Sequence, residues 1–222
     1  MDPKFLVFDT ETTGLFDFKL PADDPSQPRL AAVAFILADE TGTEIFAVKR
    51  YIKPDGWEMP AEAQAINGLS TEFLDTNGVP VVTVLDEYQR HIESGLITVA
   101  FNAQFDSKVM RAEFRRAGRP DLFEQTPNVC MMRGLSPYGK EGLPIMRGFV
   151  KLKEACAYFG FDLTDAHDAM ADAQAARQIL ARLIADDRLP EAKVHYAKNP
   201  PVRPAEADPA PVAAVEGAEA AE

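Results

Sequence analysis

Three short apolar runs open the chain: "KFLVFD" (residues 4–9), "LAAVAFILAD" (30–39) and "EIFAVKRYIKP" (44–54). Each is bounded by turn formers and reads as a strand. The turn "ETGT" joins the second to the third, and a Pro/Asp-rich loop, "FDFKLPADDPSQPR", separates the first from the second. From Pro60 to Ser94 the apolar period lengthens to that of a helix, most clearly in "VVTVLDEYQRHIES". "LITVAF" (96–101) is another strand, followed by a helix over about 105–117 and a strand at "NVCMM" (128–132). Helices at about 150–159 and 168–185 close the pattern. The order β-β-β-α-β-α-β-α is an antiparallel meander followed by βα units. It predicts an α/β domain built on one mixed sheet flanked by helices.

The same periodicities aim acids inward. Along strand one, Phe5, Val7, Asp9 and Glu11 share a face, so two carboxylates continue a row that begins apolar. On the helix "AFNAQFDSKVMRAEFRRAG", Val109, Met110, Phe114 and Ala117 fall within roughly 80° of Asp106 at about 100° per residue. Lys108, Arg111, Arg115 and Arg119 take the opposite face. On the last helix Asp172 heads the stripe Ala176, Ile179, Leu180 and Leu183, and His167 stands five residues earlier, at the start of that helix. Each feature alone has a plain structural reading: a cap, a turn, a satisfied histidine, a solvated basic face. Jointly they place four costly carboxylates on one spot. Hard oxygen donors in that number suit Mg²⁺ or Mn²⁺, and two ions would clamp the oxygens of a phosphodiester.

Composition narrows the class. A length of 222 residues, 46% hydrophobic and 26% charged, fits one medium domain with a real core. No apolar run reaches the roughly 18 residues of a membrane span, so no membrane partner is expected. The start "MDPKFLVFD" lacks the pattern of a secretory signal. Cys130 and Cys156 fit neither a disulfide framework nor a zinc site, which points to a reducing cytoplasm. The net charge of −12 argues against a polyanionic partner until its distribution is counted. Residues 101–153 hold 10 Lys/Arg against 5 Asp/Glu, so the middle of the chain is locally basic. From about Pro200 the chain is Pro, Ala and Glu with almost no large apolar residue. The expected organisation is one domain over 1–199 and a disordered acidic tail over 200–222.

The acids and the histidine stand in motifs that resemble the DEDDh 3′–5′ exonucleases, the group of the proofreading subunit of bacterial DNA polymerase III and ribonuclease T. The acid-x-acid motif is "FDTETTGL" with Asp9 and Glu11. The second is "FNAQFD", ending in Asp106, and the third is "HDAMAD", with His167, Ala169 and Asp172. The similarity runs from about Lys4 to Ala185, through "AINGLSTEFL" and "LKEACAYFGFDL". It departs at Phe101 and Asn67, where the family often has histidine, and the tail holds no clear clamp-binding peptide.

The resemblance implies a ribonuclease H-like mixed five-stranded sheet. It implies Asp9, Glu11, Asp106 and Asp172 as holders of two Mg²⁺ or Mn²⁺ ions, and His167 as the general base. Thr12, Thr13 and Leu15 are expected to line the pocket of the terminal nucleotide. The expected reaction is release of nucleoside 5′-monophosphates from a free 3′ end. Single-stranded DNA is the favoured substrate, and a polymerase or other replication protein is a candidate partner. RNA 3′-end trimming on the same scaffold is the alternative. A non-catalytic module that grips ends or a polymerase is a third class, and the intact acidic cluster argues against it.

Overall fold

The computed structural model describes residues 2–194, apart from 121 and 147. The expected tail and its boundary at residue 200 lie outside the described residues. Five strands form one sheet in the order β3-β2-β1-β4-β5. They are β1 (Phe5–Thr12), β2 (Leu30–Ala38), β3 (Glu44–Tyr51), β4 (Ile97–Ala100) and β5 (Asn128–Cys130). β1 pairs antiparallel with β2 and parallel with β4. β2–β3 is antiparallel and β4–β5 parallel, so the sheet is mixed, as the element order requires.

Seven helices accompany it among the described residues: α1 (Ala61–Asn67), α2 (Thr71–Asn77), α3 (Val81–Glu93), α4 (Ala103–Arg116), α5 (Met131–Gly134), α6 (Leu152–Phe159) and α7 (Ala169–Ala185). α7 runs against β1, β2 and β3. On the other face of β1, Phe8 meets Tyr88 of α3 edge-on at 5.5 Å and Phe123 at 6.4 Å. Cover on both faces explains why Phe5, Leu6, Val7 and Phe8 are all buried, where a half-exposed strand would alternate.

The structure refines several expected boundaries. β1 continues to Thr12, so Asp9 and Glu11 lie inside a paired strand, with Glu11 opposite Ala32. The helical stretch 60–94 is three helices. Gly68 ends α1 in the left-handed conformation (φ 72°), and the Ser70 hydroxyl caps α2 by accepting from the Phe73 N–H at 3.1 Å. Gly78 then passes so close to the backbone of β3's continuation that an added Cβ would meet Lys53 N at 2.4 Å. The strand expected over "NVCMM" stops at Cys130. Met132 instead turns into α5 and gives its N–H to the Phe101 carbonyl at 2.8 Å.

The basic face of α4, and Arg116 beside it, bind other parts of the protein: Arg115 pairs with Asp23 at 3.7 Å. Lys108 Nζ donates to the carbonyls of Asp17 (3.2 Å) and Leu20 (3.3 Å), and Arg116 to those of Pro28 (3.0 Å) and Gln27 (2.9 Å). These cations clamp the 16–29 loop to the helix. Arg119 ties α4 to α3 through Asp86 at 2.9 Å. Glu113, buried at 1% exposure, completes the clamp. It pairs with Arg29 at 2.9 Å and Arg116 at 3.0 Å and accepts the Leu30 N–H at 3.1 Å. A buried carboxylate is tolerated only with such partners.

Candidate active site

A cleft of about 420 Å³ opens at the end of β1, within the range of about 300–1,000 Å³ typical of small-ligand sites. Strand parity brings Asp9 and Glu11 to the face that α7 covers. Helical phase turns Asp172 of α7 toward them. One carboxylate oxygen from each of Asp9, Glu11 and Asp172 lies within 4.8 Å of the others. Asp106, from the first turn of α4, lines the same cleft but stands outside that close set. It is fixed by Thr10, whose backbone N–H (3.0 Å) and hydroxyl (2.8 Å) both donate to Oδ1.

Crowding and burial resist ionisation. Asp9 is held well above the usual carboxylate range by burial, then by the charges of Asp106, Asp172, Glu11 and Asp168. Glu11 is pushed up to about 8 by burial, with Asp172, Asp106 and Asp168 adding and Lys49 opposing. Burial pushes Asp106 to about 7, although the two Thr10 donors pull it down. Asp172 is raised by burial, against the pull of the His167 backbone N–H, which donates to Oδ2 at 3.3 Å. The other oxygen of Asp172, Oδ1, is buried and has no hydrogen-bond partner. An orphaned carboxylate oxygen beside two more acids is a poor structural element and a good cation donor. The donor set therefore fits a hard divalent ion.

His167 is exposed, lines the cleft, and sits in the left-handed region at φ 69°, as does Asp165 at φ 57°. Non-glycine residues in that region mark a locally constrained loop. Asp168 anchors it by capping α7: its Oδ1 accepts from Met170 (2.9 Å) and Ala171 (3.2 Å), and its Oδ2 takes Lys49 Nζ. Burial acts to raise the pKa of Asp168, but Lys49 and these N–H groups outweigh it and hold the group below its ordinary value.

Of the expected pocket residues, Thr12 and Leu15 line the cleft, Leu15 with 88% of its surface exposed. The Thr12 hydroxyl is turned onto the Gly14 carbonyl at 2.6 Å. Thr13 is not among the lining residues. Its hydroxyl accepts the Arg29 N–H at 2.8 Å and its own N–H goes to the Arg29 carbonyl at 3.0 Å. Sequence reading missed Ile66, which is 62% exposed at the rim, and the apolar lining of Phe105 and Leu152. Phe101 and Asn67, the two departures, also line the cleft. Asn67 is structural as well, donating to the Thr12 carbonyl at 3.2 Å.

A ribonuclease H-like sheet that gathers carboxylates beside its central strand is the framework of a 3′–5′ exonuclease. The chain belongs to the RNase_T exonuclease family, whose pattern it matches over residues 6–180. It is 25% identical over 201 residues to DNA polymerase III subunit epsilon of Treponema pallidum, covering 90% of this chain and 85% of that one. Two solved structures of E. coli Exonuclease I share the fold. The complex with a dT13 oligonucleotide superposes with a TM-score of 0.69 at 21% identity, covering 82% of this chain. The zinc-bound single-stranded DNA complex gives 0.70 at 21% identity, covering 83%. This chain spans 41% of the length of Exonuclease I in both. Among the described residues no helix is long and apolar enough to cross a membrane.

Proposed function

We propose that the chain removes nucleotides from the 3′ end of single-stranded DNA in a reaction that requires Mg²⁺ or Mn²⁺. The observation that carries this reading is the meeting of Asp9, Glu11 and Asp172 oxygens within 4.8 Å, with Asp172 Oδ1 buried and unpartnered. Asp9, Glu11 and Asp172, with Asp106 beside them, would hold the metal. When bound, one or two such ions supply charge for the scissile phosphate and a lowered pKa for the attacking water.

The chain's own residues do the rest. His167, on its constrained loop at the open side of the acids, takes the proton of the attacking water. Thr10 holds Asp106 in one orientation through two donors, so that carboxylate need not reorganise during the reaction. Leu15 and Ile66 project from the rim, and Phe101 and Phe105 line the cleft. Together they offer apolar surface to the terminal base. Thr12 and the Gly14–Leu15 backbone stand beside the terminal sugar, whereas Thr13 acts by tying this turn to Arg29.

DNA is favoured over RNA because the relatives named above are a DNA polymerase subunit and an exonuclease solved with DNA oligonucleotides. The same likeness makes a replication protein the candidate partner. Free, buried Cys130 and Cys156 agree with a cytoplasmic setting. The test is one incubation of 5′-labelled single-stranded DNA and RNA of equal length with Mg²⁺, Mn²⁺ or chelator. The expected result is a ladder shortening from the 3′ end on DNA, with nucleoside 5′-monophosphates released and no reaction in chelator. Equal or faster shortening of RNA would move the assignment to 3′-end trimming of RNA.

A further inference from the structure

The locally basic middle of the chain divides in two. Its first half, on α4, is engaged in clamping the 16–29 loop and α3. Its second half, residues 133–153, holds 5 Lys/Arg and 1 Asp/Glu. That one acid, Glu141, is taken by Arg188 at 2.6 Å. Lys140, Lys151 and Lys153 are exposed, and among the described residues no carboxylate pairs with them. The neighbouring Glu154 caps α6 instead, accepting the Lys151 N–H at 3.3 Å.

This segment begins and ends at the cleft. At its start, Met132 is bonded to the carbonyl of Phe101, a lining residue, and Arg133 donates at 3.0 Å to Oε1 of Gln104, the residue before the lining Phe105. At its end, Leu152 lines the cleft itself, flanked in sequence by Lys151 and Lys153. Between these anchors Met146 and Phe149 exchange both backbone hydrogen bonds, at 2.8 and 3.0 Å, and Gly148 stands at φ 84°. Both side chains are left in solvent, at 66% and 58% exposure. Unpaired cations beside exposed apolar and aromatic side chains are the combination that tracks a single strand, one part for phosphates and one for bases. The acidic remainder of the chain makes the placement selective.

We propose that Met146, Phe149, Lys151 and Lys153 form a track for the strand 5′ of the terminal nucleotide. Phe149 and Met146 receive a base, and Lys151 and Lys153 receive phosphates. This rests on the exonuclease reading of the cleft and adds a second subsite to it. Two substrates separate the claims: a single-stranded 12-mer, and the 4-nitrophenyl ester of thymidine 5′-monophosphate, which has no upstream strand.

Phe149→Ala is expected to raise KM for the 12-mer about tenfold, the loss of one stacked base. Lys151→Gln with Lys153→Gln is expected to reduce the slope of log(kcat/KM) against log salt by about 1.4, at about 0.7 per phosphate for single strands. Neither variant is expected to change turnover of the nitrophenyl ester. Unchanged KM and unchanged salt slope on the 12-mer overturn the track and leave these residues as a protein-docking surface. If the wild type hydrolyses neither substrate, the exonuclease reading fails. The same variants are then compared by fluorescence anisotropy of labelled 12-mer, where an unchanged affinity and salt slope overturn the track independently.

Discussion

Raising pH in the absence of metal should destabilise this protein. Glu11 is raised from 4.5 to about 8 by burial and by its acidic neighbours. Between those two values the folded state keeps a proton that the unfolded state has lost. Stability therefore falls as pH rises through this window, and is full only below about 4.5. At about 1.4 kcal/mol per pKa unit, the window between pH 5 and 8 is worth about 4 kcal/mol. For a domain of this size that corresponds to about 8–16 °C in Tm. Asp9 and Asp106 shift in the same direction but share the same repulsion, so their effects do not simply add. His91, lowered by burial, works the opposite way just below pH 6.5. The comparison is therefore with Glu11→Gln in identical buffers, where His91 cancels. Thermal unfolding by circular dichroism in chelator at pH 5, 6, 7 and 8 should show the wild type losing Tm and the variant losing much less. In millimolar Mn²⁺ the wild-type trend should reverse, because only ionised carboxylates bind metal. Saturation at a hundred times Kd adds about 2.7 kcal/mol per site. A wild-type slope in chelator that is flat, rising, or equal to that of Glu11→Gln would refute the account of the cluster.

Other perturbations separate chemistry from folding. His167→Ala should slow the chemical step by about 10²–10⁴-fold, the usual worth of a general base. Its Mn²⁺ titration midpoint should stay put; a shifted midpoint at normal maximal rate would make it a ligand. Asp172→Asn should raise the metal-free Tm by about 2–4 °C, for a relief of about 1 kcal/mol, and shrink the gain on adding Mn²⁺. Equal metal-induced shifts in the two proteins would remove Asp172 from the site. Glu113→Ala leaves Arg29 and Arg116 without their shared carboxylate and should cost about 3 kcal/mol, read as a fall in denaturant midpoint at unchanged slope. A loss below about 0.5 kcal/mol would mean the clamp on the 16–29 loop is not a stabilising element.

The acids were legible because parity and helical phase are local. Asp9 and Glu11 alternate with buried Thr10, and Asp172 shares a stripe with Ile179 and Leu183, so one-dimensional periodicity was enough to turn them inward. The mixed character of the sheet followed from the element order, a meander and then βα units. What escaped depends on residues distant in sequence. Glu113 lies on the face of α4 that carries Asp106, yet Arg29 and the Leu30 N–H, 84 and 83 residues away, are needed beside Arg116 to show why a second acid is buried there. Arg29 also occupies Thr13, which the motif alone placed in the pocket. The cations of α4 read as a solvent face until the 16–29 loop was seen lying on them. Ile66 sits at the end of a short helix whose boundary depends on Gly68, and its position over the cleft has no periodic signal.

The most direct test of the central claim is the single-turnover rate of 3′-nucleotide release from single-stranded DNA at saturating Mn²⁺, for wild type and Asp9→Asn. The account predicts a loss on the order of 10²–10³-fold or more, the size seen when one group stabilising transition-state charge is removed, with the variant folded and its metal-free Tm not lowered. A variant that retains a rate within about threefold of wild type would show that the carboxylates gathered beside β1 are not where the phosphodiester is cleaved.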